Sequence, residues 1–171
     1  MSMRPVSLLL LIMLSWKAGA ADLIGRTMPP YPEGLADVGG ICLSDASVQG
    51  QVCDFSIGFV GDAGADPELE PVVRYIVAGR LGGRDGKKAL WKITDALPYP
   101  EVPRDFTWQA GNCRVGQVID DKVVAIVGRG DEQEYLTNVA WARRLDLSSG
   151  KFEVVDPATV DCINEGYGEG P

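Results

Sequence analysis

Between Cys113 and Cys162 the chain alternates apolar and polar residues more regularly than anywhere else, and that alternation restricts the fold more than any other feature. The stretch 114–156 reads RVGQVIDDKVVAIVGRGDEQEYLTNVAWARRLDLSSGKFEVVD. In an extended chain successive side chains point to opposite faces, so a period of two marks strands with one face in a core. Residues 123–127 are apolar on both phases, which predicts a strand buried on both sides. Tyr135, Thr137, Val139, Trp141, Leu145 and Leu147 share one phase, interrupted by Arg143. The turns between these runs are readable in part. Asp120-Asp121 would join a strand over 115–119 to one over 122–129 as a two-residue connection. Ser148-Ser149-Gly150 would close a hairpin, with Gly150 suited to the left-handed position. Asp156-Pro157 would start a short turn delivering Cys162.

The upstream half carries the same signature with more punctuation. Residues 21–40 hold prolines at 29, 30 and 32 and the pair Gly39-Gly40, and read as an irregular N-terminal arm. Residues 41–43 and 51–61 form a strand pair in which Phe55, Ile57 and Phe59 fall on one face and small residues on the other. VVRYIVAGRL at 72–81 is apolar on both phases and belongs in the centre of a sheet. The glycine-rich run at 82–86 is a hairpin turn rather than a phosphate loop, because a strand follows it and not a helix. PYPEVP at 98–103 breaks the chain and is the candidate for a boundary between two halves of one domain or for a crossing between two sheets. Phe106 and Trp108 alternate in a short strand after it.

Together these runs predict an all-β fold. The expected architecture is a single-domain antiparallel sandwich or barrel of roughly eight strands, with turn signals every 8–12 residues. A partial propeller-like arrangement is the alternative, but at ~40–45 residues per blade the chain is too short for a closed one. The domain spans 41–162, followed by a glycine-rich acidic tail over 163–171.

The first twenty residues have another character. Arg4 precedes an apolar run of about a dozen residues, and Ala18-Gly19-Ala20 provides small residues at a cleavage position, so 1–20 reads as a secretory signal removed before Ala21. The run is too short to cross a ~30 Å hydrocarbon core, and stable membrane insertion is not expected after cleavage. Export to the periplasm or beyond agrees with four cysteines at 42, 53, 113 and 162, whose spacing favours Cys42 with Cys53 and Cys113 with Cys162. The second bridge would tie together the two ends of the long meander.

Charge and composition then narrow the functional classes. The 171-residue chain has a net charge of −8, and the mature 151 residues would carry fourteen basic against twenty-four acidic side chains. Such a surface repels nucleic-acid backbones and anionic lipid, and it steers encounter with a basic protein. There is no histidine. A Ser-His-Asp triad, a Cys-His dyad and histidine-ligated metal are therefore excluded, and no cofactor is expected. A carboxylate-pair hydrolase is left as the enzymatic alternative.

Candidate contacts lie in the loops. Asp62, Asp66, Glu68 and Glu70 form an acidic loop that lacks the glycine and spacing of a calcium site, with Asp66-Pro67 able to start one helical turn. Arg129, Asp131 and Glu132 sit in a second loop, GRGDEQ, and Tyr167 in the tail. The leading expectation is a non-enzymatic periplasmic inhibitor or immunity-type protein that binds a basic, cell-wall-acting enzyme. The alternatives are an envelope-associated structural protein and a small-molecule binder with a β cavity lined by Trp91, Trp108 and Trp141. For those tryptophans a packed core is the competing fate.

Overall fold

The computed structural model describes residues 19–45, 52–64, 71–130 and 133–168. The signal-peptide assignment, the helical turn at Asp66-Pro67 and the side chains of Asp66, Glu68, Glu70, Asp131 and Glu132 fall outside the described residues. Thirteen strands occur among those described, more than the roughly eight expected, four of them only two or three residues long. They are β1 (Thr27–Met28), β2 (Leu35–Leu43), β3 (Phe55–Asp62), β4 (Val73–Asp85), β5 (Lys88–Pro98), β6 (Phe106–Ala110), β7 (Cys113–Val115), β8 (Val118–Ile119), β9 (Val123–Gly128), β10 (Tyr135–Leu136), β11 (Val139–Asp146), β12 (Lys151–Val154) and β13 (Val160–Ile163).

They form three antiparallel sheets. The first has the order β1-β5-β4-β3-β2, the second β12-β11-β9-β6 and the third β10-β13-β7-β8. The first two sheets face each other over a core containing Ile57, Phe59, Ile76, Ala78, Val124 and Leu145, with Trp108 and Trp141 packed against it. This is a sandwich-like arrangement, not a closed barrel. The opposite face of the second sheet packs on the third through Val123, Ala125, Val127, Ala142, Val160 and the Cys113–Cys162 bridge. All six residues of β9 are consequently buried, as their two-sided apolar sequence predicts. The outer face of the first sheet is partly covered by the N-terminal segment, whose Leu23 and Met28 pack on Val60, Val77, Ile93 and Ala96.

β4 lies in the middle of its sheet, between β3 and β5. It turns into β5 through a two-residue hairpin, with Asp85 opposite Lys88 and Gly86 at φ +58°. Residues 99–105 carry the chain from the first sheet to the second. The two disulfides are Cys42–Cys53 and Cys113–Cys162, the second joining residues directly opposite each other on β7 and β13. Asp156 accepts from the Ala158 amide and starts the 3-10 turn Pro157–Thr159 that leads to β13.

Three expectations are corrected. The arm is not irregular throughout 21–40, since β2 begins at Leu35 and pairs with β3 from Leu35↔Asp62 to Leu43↔Phe55. Gly39-Gly40, read as punctuation, lies inside that strand beside a register shift. A side chain on Gly40 would overlap the Ile57 carbonyl, so the pair is a close approach of two backbones and not a strand break.

Asp120-Asp121 is not a hairpin either. The hairpin there is Gly116-Gln117, with φ +57° and +70°, pairing Val115 with Val118. Two successive positive φ values match the twist of flanking strands. Asp120 instead turns the chain from the third sheet into the second, its side chain accepting the Lys122 amide at 3.1 Å.

The single phase assigned to 135–147 is also broken. A register shift between Val139 and Trp141 re-aims the strand. Leu136 belongs to β10 of the third sheet and packs with Val139 and Ala142 in the core between the third and second sheets, whereas Trp141, Leu145 and Leu147 face the first.

The hairpin from β11 to β12 fastens the two main sheets. Gly150 has φ +70° and is buried against Thr94 of β5. Asp95 accepts the Phe152 amide at 2.9 Å, and the Arg80 guanidinium donates to the carbonyls of Leu147 and Ser148 at 2.8 Å each.

Candidate functional site

One end of the sandwich gathers the segments that the sequence singles out. β3 ends and β4 begins there, joined by the bidentate pair Arg74–Asp62, with an Nη2···Oδ2 distance of 2.7 Å. The Tyr99 amide donates to the Arg74 carbonyl at 2.8 Å, bringing the 99–105 crossing to the same edge. That crossing meets the end of β9, where the Arg129 amide donates to the Asp105 carbonyl at 2.8 Å. Burial pushes the Tyr99 phenol above its ordinary pKa, and the positive charge of Arg129 nearby works against that rise. The tail completes the rim: the Asn164 side-chain amide donates to the carbonyls of Gly130 and Gln133 at 2.7 and 2.8 Å.

Segments far apart in sequence therefore form one rim. Among the described residues the stretches 62–74, 99–105, 129–134 and 164–168 carry five carboxylates, Asp62, Glu101, Asp105, Glu134 and Glu165, against three arginines, Arg74, Arg104 and Arg129. Of the predicted contacts, Asp62 is half-exposed and paired with Arg74. Arg129 is exposed and borders a depression of about 350 Å³ that Gly128, Gln133, Leu136, Thr137 and Asn138 also line. Tyr167 is exposed, and its amide donates to the Asn164 carbonyl at 3.1 Å.

A second site was not legible as one. The outer face of the first sheet bears a cavity of about 330 Å³. Its floor is the phase of β2 and β3 opposite the sandwich core, where Gly40 pairs with Gly58 and Cys42 with Ser56. Where the N-terminal segment stops covering the sheet, these small residues leave a trough. Met28, Tyr31 and Trp91 stand around it, and Asp37 and Ser56 supply polar groups. The Tyr31 phenol is pushed up to about 12 by burial, by the charge of Asp37 and by its hydrogen bond to that carboxylate. Asp37 also accepts the Gly39 amide at 3.0 Å. Of the three tryptophans, Trp108 and Trp141 pack in the central core, and Trp91 alone lines this cavity. The available signal was the run of small residues out of phase with Phe55, Ile57 and Phe59.

Among the described residues no group of three or more His, Cys, Asp or Glu side chains is placed to hold a metal ion. No helix among them is long and apolar enough to cross a membrane. The two disulfides suit an oxidising compartment. Compared with protein families, characterised proteins and solved structures, the chain matches none. The class defined by fold and bridges is thus a disulfide-stapled, acidic antiparallel β-sandwich.

Proposed function

We propose that this protein is an exported, non-enzymatic binder: a periplasmic inhibitor or immunity-type protein that caps a basic, cell-wall-acting enzyme. The observation that carries this reading is the meeting of four segments at one end of the sandwich. These are the two ends of the 62–74 loop, the 99–105 crossing, the ends of the 129–134 loop and the start of the tail. Enzymes that work on an anionic wall gain from positive charge, and an acidic rim is complementary to such a surface. The Cys113–Cys162 bridge and the Asn164 hydrogen bonds fix the start of the tail against the ends of the 129–134 loop before binding, which lowers the ordering cost of association there.

The test is an inhibition titration against a panel of basic peptidoglycan-cleaving enzymes at several salt concentrations. Inhibition of at least one, weakening steeply as salt shortens the Debye length from ~10 Å at 0.1 M to ~3 Å at 1 M, is the expected result. Binding that ignores salt, or no inhibition across the panel, rejects the reading.

A further inference from the structure

We propose that the trough on the outer face of the first sheet is a binding site for a small planar aromatic molecule that carries an amine. None of its lining residues belongs to the acidic rim, so the two proposals stand or fall separately.

The shape argues for a flat ligand. Sheet faces that need only be covered carry branched or aromatic side chains, which pack well on the pleated surface. Here one rung on the outer phase, Gly40↔Gly58, carries no side chain, and the neighbouring rung pairs the short Ser56 with Cys42, whose sulfur is bonded to Cys53. On the next strand Gly79 stands opposite Ser56, and the Ser56 hydroxyl and the Trp91 β-carbon pack over it at the edge of the trough. A β-carbon on Gly58 would lie 3.2 Å from the Val77 methyl, and one on Gly79 would lie 2.7 Å from the Ser56 hydroxyl. Bare backbone of this kind lets a ring approach the sheet closely. Tyr31 and Trp91 offer aromatic surface beside it, and Met28, Ile93 and Val77 supply apolar contact. The volume is at the small end of the roughly 300–1,000 Å³ range of ligand pockets.

The charge argues for a donor. Among the described residues, Asp37 is the only ionisable group lining the trough besides Tyr31, and no lysine or arginine lines it. An ammonium is attracted by that carboxylate and by aromatic faces, while a carboxylate or phosphate finds no counter-charge. Ser56, nearly buried at 8 % exposure, adds a hydroxyl at the floor that can donate or accept.

Three probes that share one ring separate these contributions: tryptamine, indole and indole-3-acetate. Amide chemical shifts of ¹⁵N-labelled protein are followed during each titration. The expected result is saturable shifts centred on Gly39, Gly40 and Gly58, with tryptamine roughly three- to fivefold tighter than indole, the scale of an exposed ion pair. Indole-3-acetate should be the weakest. Asp37→Asn, at an exposed position, should erase the preference for tryptamine over indole. Gly58→Ala should weaken all three by raising the floor. If Gly58→Ala fails to fold, Asp37→Asn still decides the case. No shift at the three glycines with any probe, equal binding of tryptamine and indole-3-acetate, or an unchanged preference in Asp37→Asn overturns the proposal.

Discussion

Phe59 of β3 and Trp108 of β6 stack with ring centroids 4.0 Å apart and planes 24° from parallel, and they come from opposite sheets of the sandwich. Gly39 also borders the indole, where a β-carbon would sit 3.7 Å from it. Trp108 thus ties the two edge strands β2 and β6 together. Trp108→Ala should lower unfolding free energy by about 3–5 kcal/mol, as for large aromatic deletions in cores. Trp91→Ala, at the wall of an open cavity, should cost roughly 1–2 kcal/mol, in line with partial burial. Urea denaturation of both variants checks the contrast, and equal losses would show that Trp91 belongs to the packed core.

Gly150 illustrates a turn residue with two duties. Its φ of +70° disfavours any side chain, and a β-carbon would come within 2.8 Å of the Thr94 hydroxyl oxygen. Gly150→Ala should therefore destabilise by about 1–3 kcal/mol. Gly116 has a similar φ of +57°, but no neighbouring atom stands within 4 Å of where its β-carbon would be. Gly116→Ala should cost only about 1 kcal/mol. Thermal melts of the pair separate backbone conformation from collision.

The Cys113–Cys162 bridge closes a loop with a sequence separation of 49 between neighbouring strands of the third sheet. In the chain-entropy model such a bridge contributes ~4 kcal/mol. Replacing both cysteines with alanine should cost about 2–5 kcal/mol in denaturant unfolding. Peptide mapping of the unreduced protein should recover Cys113 linked to Cys162 and Cys42 linked to Cys53. Any other linkage contradicts the third sheet.

Two aspartates predict an acid limb of stability. Burial raises the pKa of Asp120, but the Arg144 hydrogen bond, the Lys122 amide and the two nearby cations outweigh it and hold the group below its ordinary value. Hydrogen bonds from Ser149 and Ser148 hold Asp146 well below the usual carboxylate range. A depressed folded-state pKa contributes stability that is complete above the unfolded value, near ~3.9, and is lost as pH falls toward the folded one. The melting temperature should be flat above that value with respect to these groups and fall below it. Asp120→Asn should lower stability at neutral pH and shrink the acid-dependent fall.

Much of the fold was legible because period-two alternation and turn chemistry are local. The central position of β4, the two-sided burial of β9 and the left-handed Gly150 all follow from adjacent residues. The errors arise where a distant strand decides. Asp120-Asp121 sits between two strands that pair with other partners, so a hairpin inference from proximity fails. The register shift before Trp141 moves alternate residues to the opposite face without altering composition. Gly39-Gly40 resembles a break until Ile57 of the neighbouring strand is seen against it. The rim has the same origin: its four segments are separated by tens of residues and meet only through the topology. The trough was hidden because missing side chains leave no motif.

The most direct test of the functional account compares charge reversals at the two ends of the sandwich. Glu134→Lys and Glu165→Lys change the rim, whereas Asp85→Lys makes the same change at the exposed β4–β5 hairpin, at the far end of the 13-residue strand β4. Association rates with an inhibited basic wall-cleaving enzyme are measured at ~0.05 and ~0.5 M salt. The account predicts that the rim variants slow association at low salt by roughly tenfold or more, through loss of electrostatic steering, and that Asp85→Lys changes it little. Equal effects at both ends, or rates indifferent to the rim charges, would contradict it.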